Sequence, residues 1–107
     1  MNTLLYLKTS HIYLDHELVR EIFGDIHYAY VAYVPEKAAL LITPVTSQWF
    51  VKMHKPTQFL LKSRNLKGDK TLAIRELLID HNLDVTDRAL AYDVVSKTKL
   101  IKVNLKQ

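Results

Sequence analysis

Ser10-His11-Ile12-Tyr13-Leu14-Asp15-His16-Glu17-Leu18-Val19-Arg20-Glu21-Ile22-Phe23-Gly24 is the stretch whose reading decides the fold. Ile12-Tyr13-Leu14 alternates as a short strand. Asp15 is placed to cap a helix, because its carboxylate can accept a hydrogen bond from an unpaired N–H of the first turn. Glu17 adds negative charge near the positive end of the helix dipole. Leu18, Val19 and Ile22 form the buried stripe, and Gly24 can end the helix at a positive φ. Tyr28 to Val34 then has the aromatic and branched residues of a strand. Pro35-Glu36-Lys37 makes a turn, and Ala38 to Thr43 returns as the second arm of a hairpin.

A similar order recurs 60 residues later. Ile12 falls on Leu72, Leu14 on Ile74 and Phe23 on Leu83. Leu18, Ala29, Val34, Lys37 and Leu40 meet identical residues at 78, 89, 94, 97 and 100. Thr71 to Ile74 reads as a strand, Glu76 to His81 as a helix and Arg88 to Val95 as a strand. Ser96-Lys97-Thr98 is a turn, and Lys99 to Leu105 is a return strand with one buried and one wet face. Between the copies, Trp49 to Met53 and Gln58 to Lys62 read as strands joined through Pro56, and Thr3 to Leu7 adds another at the start.

The expected architecture is α+β and mainly β: duplicated βαββ units in a partly closed barrel with two short helices. The chain of 107 residues is one domain by length. The first unit spans about 10–45, a basic β insertion about 46–68 and the second unit about 69–105.

Charge is unevenly distributed. Residues 1–36 carry a net −3, residues 37–68 a net +6 with no acid, and residues 69–107 a net +1. The overall +4 thus conceals one basic segment. Zero cysteines exclude disulfides, Cys-based zinc sites and a Cys nucleophile. Two glycines leave no Gly-rich phosphate loop. Leu4-Leu5-Tyr6-Leu7 is too short for a signal or membrane segment, so the expectation is a cytoplasmic protein without membrane contact.

The two units resemble the swapped-hairpin barrels of the AbrB/MazE/MraZ superfamily. Ser10 to Gly24 is similar to that family's strand, helix start, Glu-Leu pair (here Glu17-Leu18) and helix end. Thr71 to Leu83, with Glu76-Leu77, is similar in the second copy. The resemblance covers roughly two thirds of the chain. It implies a DNA-binding or regulatory module. Family members homodimerise, so one chain with two units would be a pseudo-dimer. The sequence departs where the family has Gly-Arg before the first strand and Pro after it. Ser10-His11 and Asp15 stand there in copy one, and Asp69-Lys70 and Arg75 in copy two.

The basic segment supplies the nucleic-acid candidates: Lys52, Lys55, Lys62, Arg64, Lys67 and Lys70, with Trp49 as the aromatic. Cations neutralise phosphates and exposed rings stack on bases. The other reading assigns Phe50 and Phe59 to the core and the lysines to a solvated face. Tyr28 and Tyr30 share a strand face and are candidates for a protein interface or self-association, as in an antitoxin-like subunit. DNA or another polyanion, a protein partner and a second copy are the candidate partners. The five histidines show no HExxH or other metal spacing, and His11, Asp15 and His16 straddle a bend. Asp84 and Asp87 read as turn residues, and no serine lies in a nucleophile elbow. No catalytic residue, metal or cofactor is expected, and an enzyme is the remote case.

Overall fold

The structure is a computed structural model that describes residues 4–105. Thr3, expected to open the first strand, lies outside them. Nine strands form one antiparallel sheet: β1 (Leu4–Lys8), β2 (His11–Leu14), β3 (Tyr28–Val34), β4 (Ala39–Pro44), β5 (Thr57–Leu60), β6 (Lys62–Ser63), β7 (Lys70–Ala73), β8 (Arg88–Val95) and β9 (Leu100–Asn104). Three helices join them: α1 (His16–Ile22), α2 (Gln48–His54) and α3 (Arg75–Asp80). None of the described helices is long and apolar enough to cross a membrane.

The strand order is β5-β3-β4-β9-β8-β1-β2-β7-β6. Its two ends, β5 and β6, are consecutive in the chain and separated only by Leu61. The Leu61 N–H still donates to the His27 carbonyl at 2.8 Å, and the Arg64 N–H to the Asp69 carbonyl at 2.9 Å. The sheet therefore curls into a nearly closed barrel. Closure removes the bare edges on which other chains would pair.

Strand alternation fills the barrel. Leu5, Leu7, Ile12, Leu14, Leu61 and Leu72 are buried in one core with Leu40, Ile42, Leu90, Ile101 and Val103. Both α1 (through Leu18, Val19 and Ile22) and α3 (through Leu77 and Leu78) pack into that same core. The Asp15 carboxylate caps α1 as its sequence suggests, accepting the Leu18 N–H at 3.1 Å. Gly24 follows with φ +56°.

The pairing pattern is alike in the two halves. The first part of β1 pairs with β8 and its later part with β2. In the same way β5 pairs with β3, while β6 pairs with β7. The central pairs, β2 with β7 and β4 with β9, take one strand from each half. Both hairpins turn through a single 3₁₀ turn (Pro35–Lys37 and Ser96–Thr98) and then a left-handed residue, Ala38 at φ 49° or Lys99 at φ 54°. These turns lie 61 residues apart rather than 60, so the Lys37 and Lys97 identity does not mark one turn position.

Two expectations are corrected. There are three described helices rather than two, and Trp49 to Met53 is helical, not a strand. The strand reading set Phe50 and Lys52 on one face. In α2 they diverge, with Phe50 fully buried and Lys52 exposed. Phe50 makes a second, small core with Ala32 and Leu41 on the outside of the sheet. One transverse row explains the location: Ala32, Leu41, Lys102 and Asp93 are successive cross-strand partners. Its first half is apolar and receives α2. Its second half is charged and stays in water. Burying Phe50 on an otherwise unpartnered apolar pair outweighs the strand propensity of the aromatic segment.

Candidate nucleic-acid interface

Buried Leu5 and Leu7 force Tyr6 outward on β1, and buried Ile12 and Leu14 do the same to Tyr13 on β2. A two-residue turn, Thr9 (φ 48°) and Ser10 (φ 62°), joins these strands and sets Tyr6 directly opposite Tyr13. Both residues have positive φ, as the mirror-image hairpin turn requires. The Asp87 carboxylate holds the turn by accepting the Thr9 N–H at 2.8 Å. The outward row continues from Ala89 to Tyr6, Tyr13, Thr71 and Lys62 across five strands. Directly opposed residues on one face lie about 4.5–5.5 Å apart at Cβ, so this is one continuous surface.

Arg64 completes it. Its guanidinium carbon lies 4.3 Å from the centroid of the Tyr13 ring, a cation–π contact. Tyr13 is half-buried, whereas Tyr6 is 55 % exposed. Tyr6, Lys8, Tyr13, Arg64, Asp87 and Arg88 line a shallow cavity of about 450 Å³. Arg88 is committed there to the structure, its Nη1 donating to the carbonyls of Asp84 (3.1 Å) and Thr86 (2.8 Å).

The loop from Arg64 to Asp69 is pinned to the start of α1. The Asp69 carboxylate accepts the His16 backbone N–H at 2.6 Å and the Asn65 side-chain amide at 2.8 Å. Asn65 in turn accepts the Lys67 N–H at 3.0 Å. Gly68, at φ +104°, lets the chain double back to bring Asp69 there. The Asn65 hydrogen bond, with those from His16, holds the Asp69 carboxyl below its ordinary range, although partial desolvation opposes this. A depressed folded value means that the loop's stabilisation is complete above the ordinary carboxylate range. It is lost as pH falls through the lower folded value. Asp69→Asn is therefore expected to lower the urea midpoint at pH 7, and the gap from wild type should narrow near pH 3.

The expected cations are only partly brought together. Lys62, Arg64 and Lys67 are exposed on β6 and its loop, and the Lys70 ammonium donates to the Ser63 hydroxyl at 2.8 Å. Trp49 and Lys52 lie on α2, outside β3 and β4. Lys55 follows α2 in a left-handed conformation and lines a different cleft of about 720 Å³, with Tyr33, His54, Arg75, Asp80 and His81. Lys55 and Arg75 share that cleft with Glu76 and Asp80, and its histidine rings pack in tilted geometry, His54 at 4.8 Å from Phe50 and His81 at 4.9 Å from Tyr33. Compared with known protein families, curated proteins and solved structures, the chain shows no match.

Phe50 is core and Phe59 packs partly buried against the main core. Tyr30 packs against the small core beneath α2, so it does not share the 44 % exposure of Tyr28. The exposed neighbour of Tyr28 is instead its cross-strand partner Leu60. His11 Nδ1 lies 2.8 Å from the Thr9 carbonyl and His16 Nδ1 lies 3.2 Å from Asp69. Asp84 organises its turn by accepting the Thr86 N–H at 2.9 Å. Tyr6, Tyr13 and Lys8 border the candidate surface and were missed by the basic-segment reading. Their signal was the alternation of Leu5-Tyr6-Leu7-Lys8 and Ile12-Tyr13-Leu14.

Proposed function

We propose that the chain is a nucleic-acid-binding module whose contact surface is the outer face of β1, β2, β7 and β6. One observation carries the reading: Arg64 lies over Tyr13, beside exposed Tyr6 and in line with Lys62. Cations and rings on one outward face match the two needs of nucleic-acid binding, phosphate neutralisation and base stacking.

An AbrB-like regulatory role belongs to the same proposal. Two units on one chain would make a pseudo-dimer, each better drawn as ββαββ than βαββ, because β5 and β6 pair as β1 does. On that drawing only the segment around α2 is inserted between the units. The alike turns and the central strand pairs support this duplication.

Salt titration tests the function. Affinity should fall steeply between 50 and 200 mM salt, because bound counterions are released. Lys62→Glu with Arg64→Glu should weaken binding at least tenfold and flatten the log–log salt slope by roughly 2, with an unchanged far-ultraviolet spectrum. Absence of binding at low salt to both duplex and single strand would overturn the proposal.

A protein-interaction role is the second reading, favoured by the exposed Tyr28 and Leu60 pair. Sedimentation as a dimer that Leu60→Ser dissociates would support self-association through it.

A further inference from the structure

We infer that the Tyr6, Tyr13 and Arg64 surface takes unpaired nucleotides in preference to duplex. This rests on the nucleic-acid reading above and names the class of ligand within it. The argument starts from what each side chain still has free. Arg64 covers one face of Tyr13, and its flat guanidinium can itself serve as a stacking plane. Tyr6 is the large apolar side chain left most open on this row, at 55 % exposure, and it borders the cavity of about 450 Å³. A stacking plane on an open sheet face is useful only for a base whose own face is free. In a duplex those faces are covered by the neighbouring base pairs.

The scaffold points the same way. The row crosses five strands, four spacings of about 4.8 Å, or roughly 19 Å, against a major groove about 12 Å wide. The face is the outside of a barrel and therefore convex. A stiff duplex with a persistence length of about 50 nm touches a convex face over a short length. A single strand can follow the curve, set one base on Tyr6 and pass its phosphates to Lys8, Arg64 and Lys62.

The test measures fluorescence anisotropy of the full chain with a labelled 12-nucleotide mixed-sequence DNA strand, the same sequence in RNA, and the DNA duplex, all at 50 mM salt. At least one of the two single strands should bind tenfold or more tighter than the duplex. Tyr6→Ala should weaken single-strand binding about tenfold without changing the salt slope, since it removes a ring and no charge. Tyr6→Phe keeps the ring and should bind within about twofold of wild type, which separates stacking from a folding defect. Duplex affinity equal to or above that of both strands would overturn the inference and leave the nucleic-acid reading standing. So would single-strand binding indifferent to Tyr6→Ala. No binding to any of the three would overturn both.

Discussion

Leu61→Asp is expected to leave the chain largely unfolded at 25 °C, with the cooperative urea transition lost or moved close to zero denaturant. Leu61 is 3 % exposed and joins β5 to β6 at the point where the barrel closes. Its side chain points into the core while its N–H bonds to His27 across the seam. Removing a buried leucine costs about 2–5 kcal/mol. An unpaired carboxylate in the same place adds several more, since nothing there can neutralise it. A domain of this size has roughly 5–15 kcal/mol of stability to lose. Leu60→Asp is the internal control. Leu60 is 46 % exposed on the opposite face of the same strand, so its replacement should change stability by about 0.5 kcal/mol or less. Equal behaviour of the two variants would mean that the alternation through this segment is not as described.

Phe50→Ala has the second largest expected effect, about 3 kcal/mol. Phe50 is fully buried, and loss of such an aromatic costs about 3–5 kcal/mol. The lower end applies because only Ala32 and Leu41 are buried with it. The loss should be felt first in α2 itself. This helix of seven residues is far below the length at which a helix is stable without packing. Limited trypsin digestion should therefore cut after Lys52 well before the barrel is attacked, and urea denaturation should show the reduced midpoint. Trp49→Ala, at a residue 37 % exposed, should cost about 1 kcal/mol and leave α2 resistant. Wild-type resistance in Phe50→Ala would show that α2 is held by something other than this small core.

The candidate surface shows how far local pattern reaches. Lys62, Arg64, Lys67 and Lys70 were visible as a cluster because they are close in sequence and free of intervening acids until Asp69. Tyr6 and Tyr13 were not, because their partnership depends on the tight turn at Thr9 and Ser10. Neither residue is the Asn-Gly or Asp-Gly that announces such a turn, and the strain of two positive φ values is accepted where Asp87 and the surrounding strands hold the backbone. Trp49 was drawn into the cluster by proximity in sequence alone. Its helix leaves the basic loop and settles on Ala32 and Leu41.

Sequence alone determined most of the local order. It placed β3 and β8 at their observed bounds, α1 with its Asp15 cap, and the two hairpin turns, since each follows from side-chain period, capping chemistry or φ preference over a few residues. The tertiary structure decided what depends on distant partners. It made α2 a helix, because an apolar pair on the sheet exterior needed covering. It divided the strand read over Gln58 to Lys62 into β5 and β6, whose separate pairings close the barrel because β3 and β7 each had an edge left to pair. It also placed Arg64 over Tyr13, a contact between residues 51 apart in the chain, which is set by the register of β2, β7 and β6 and by no local preference.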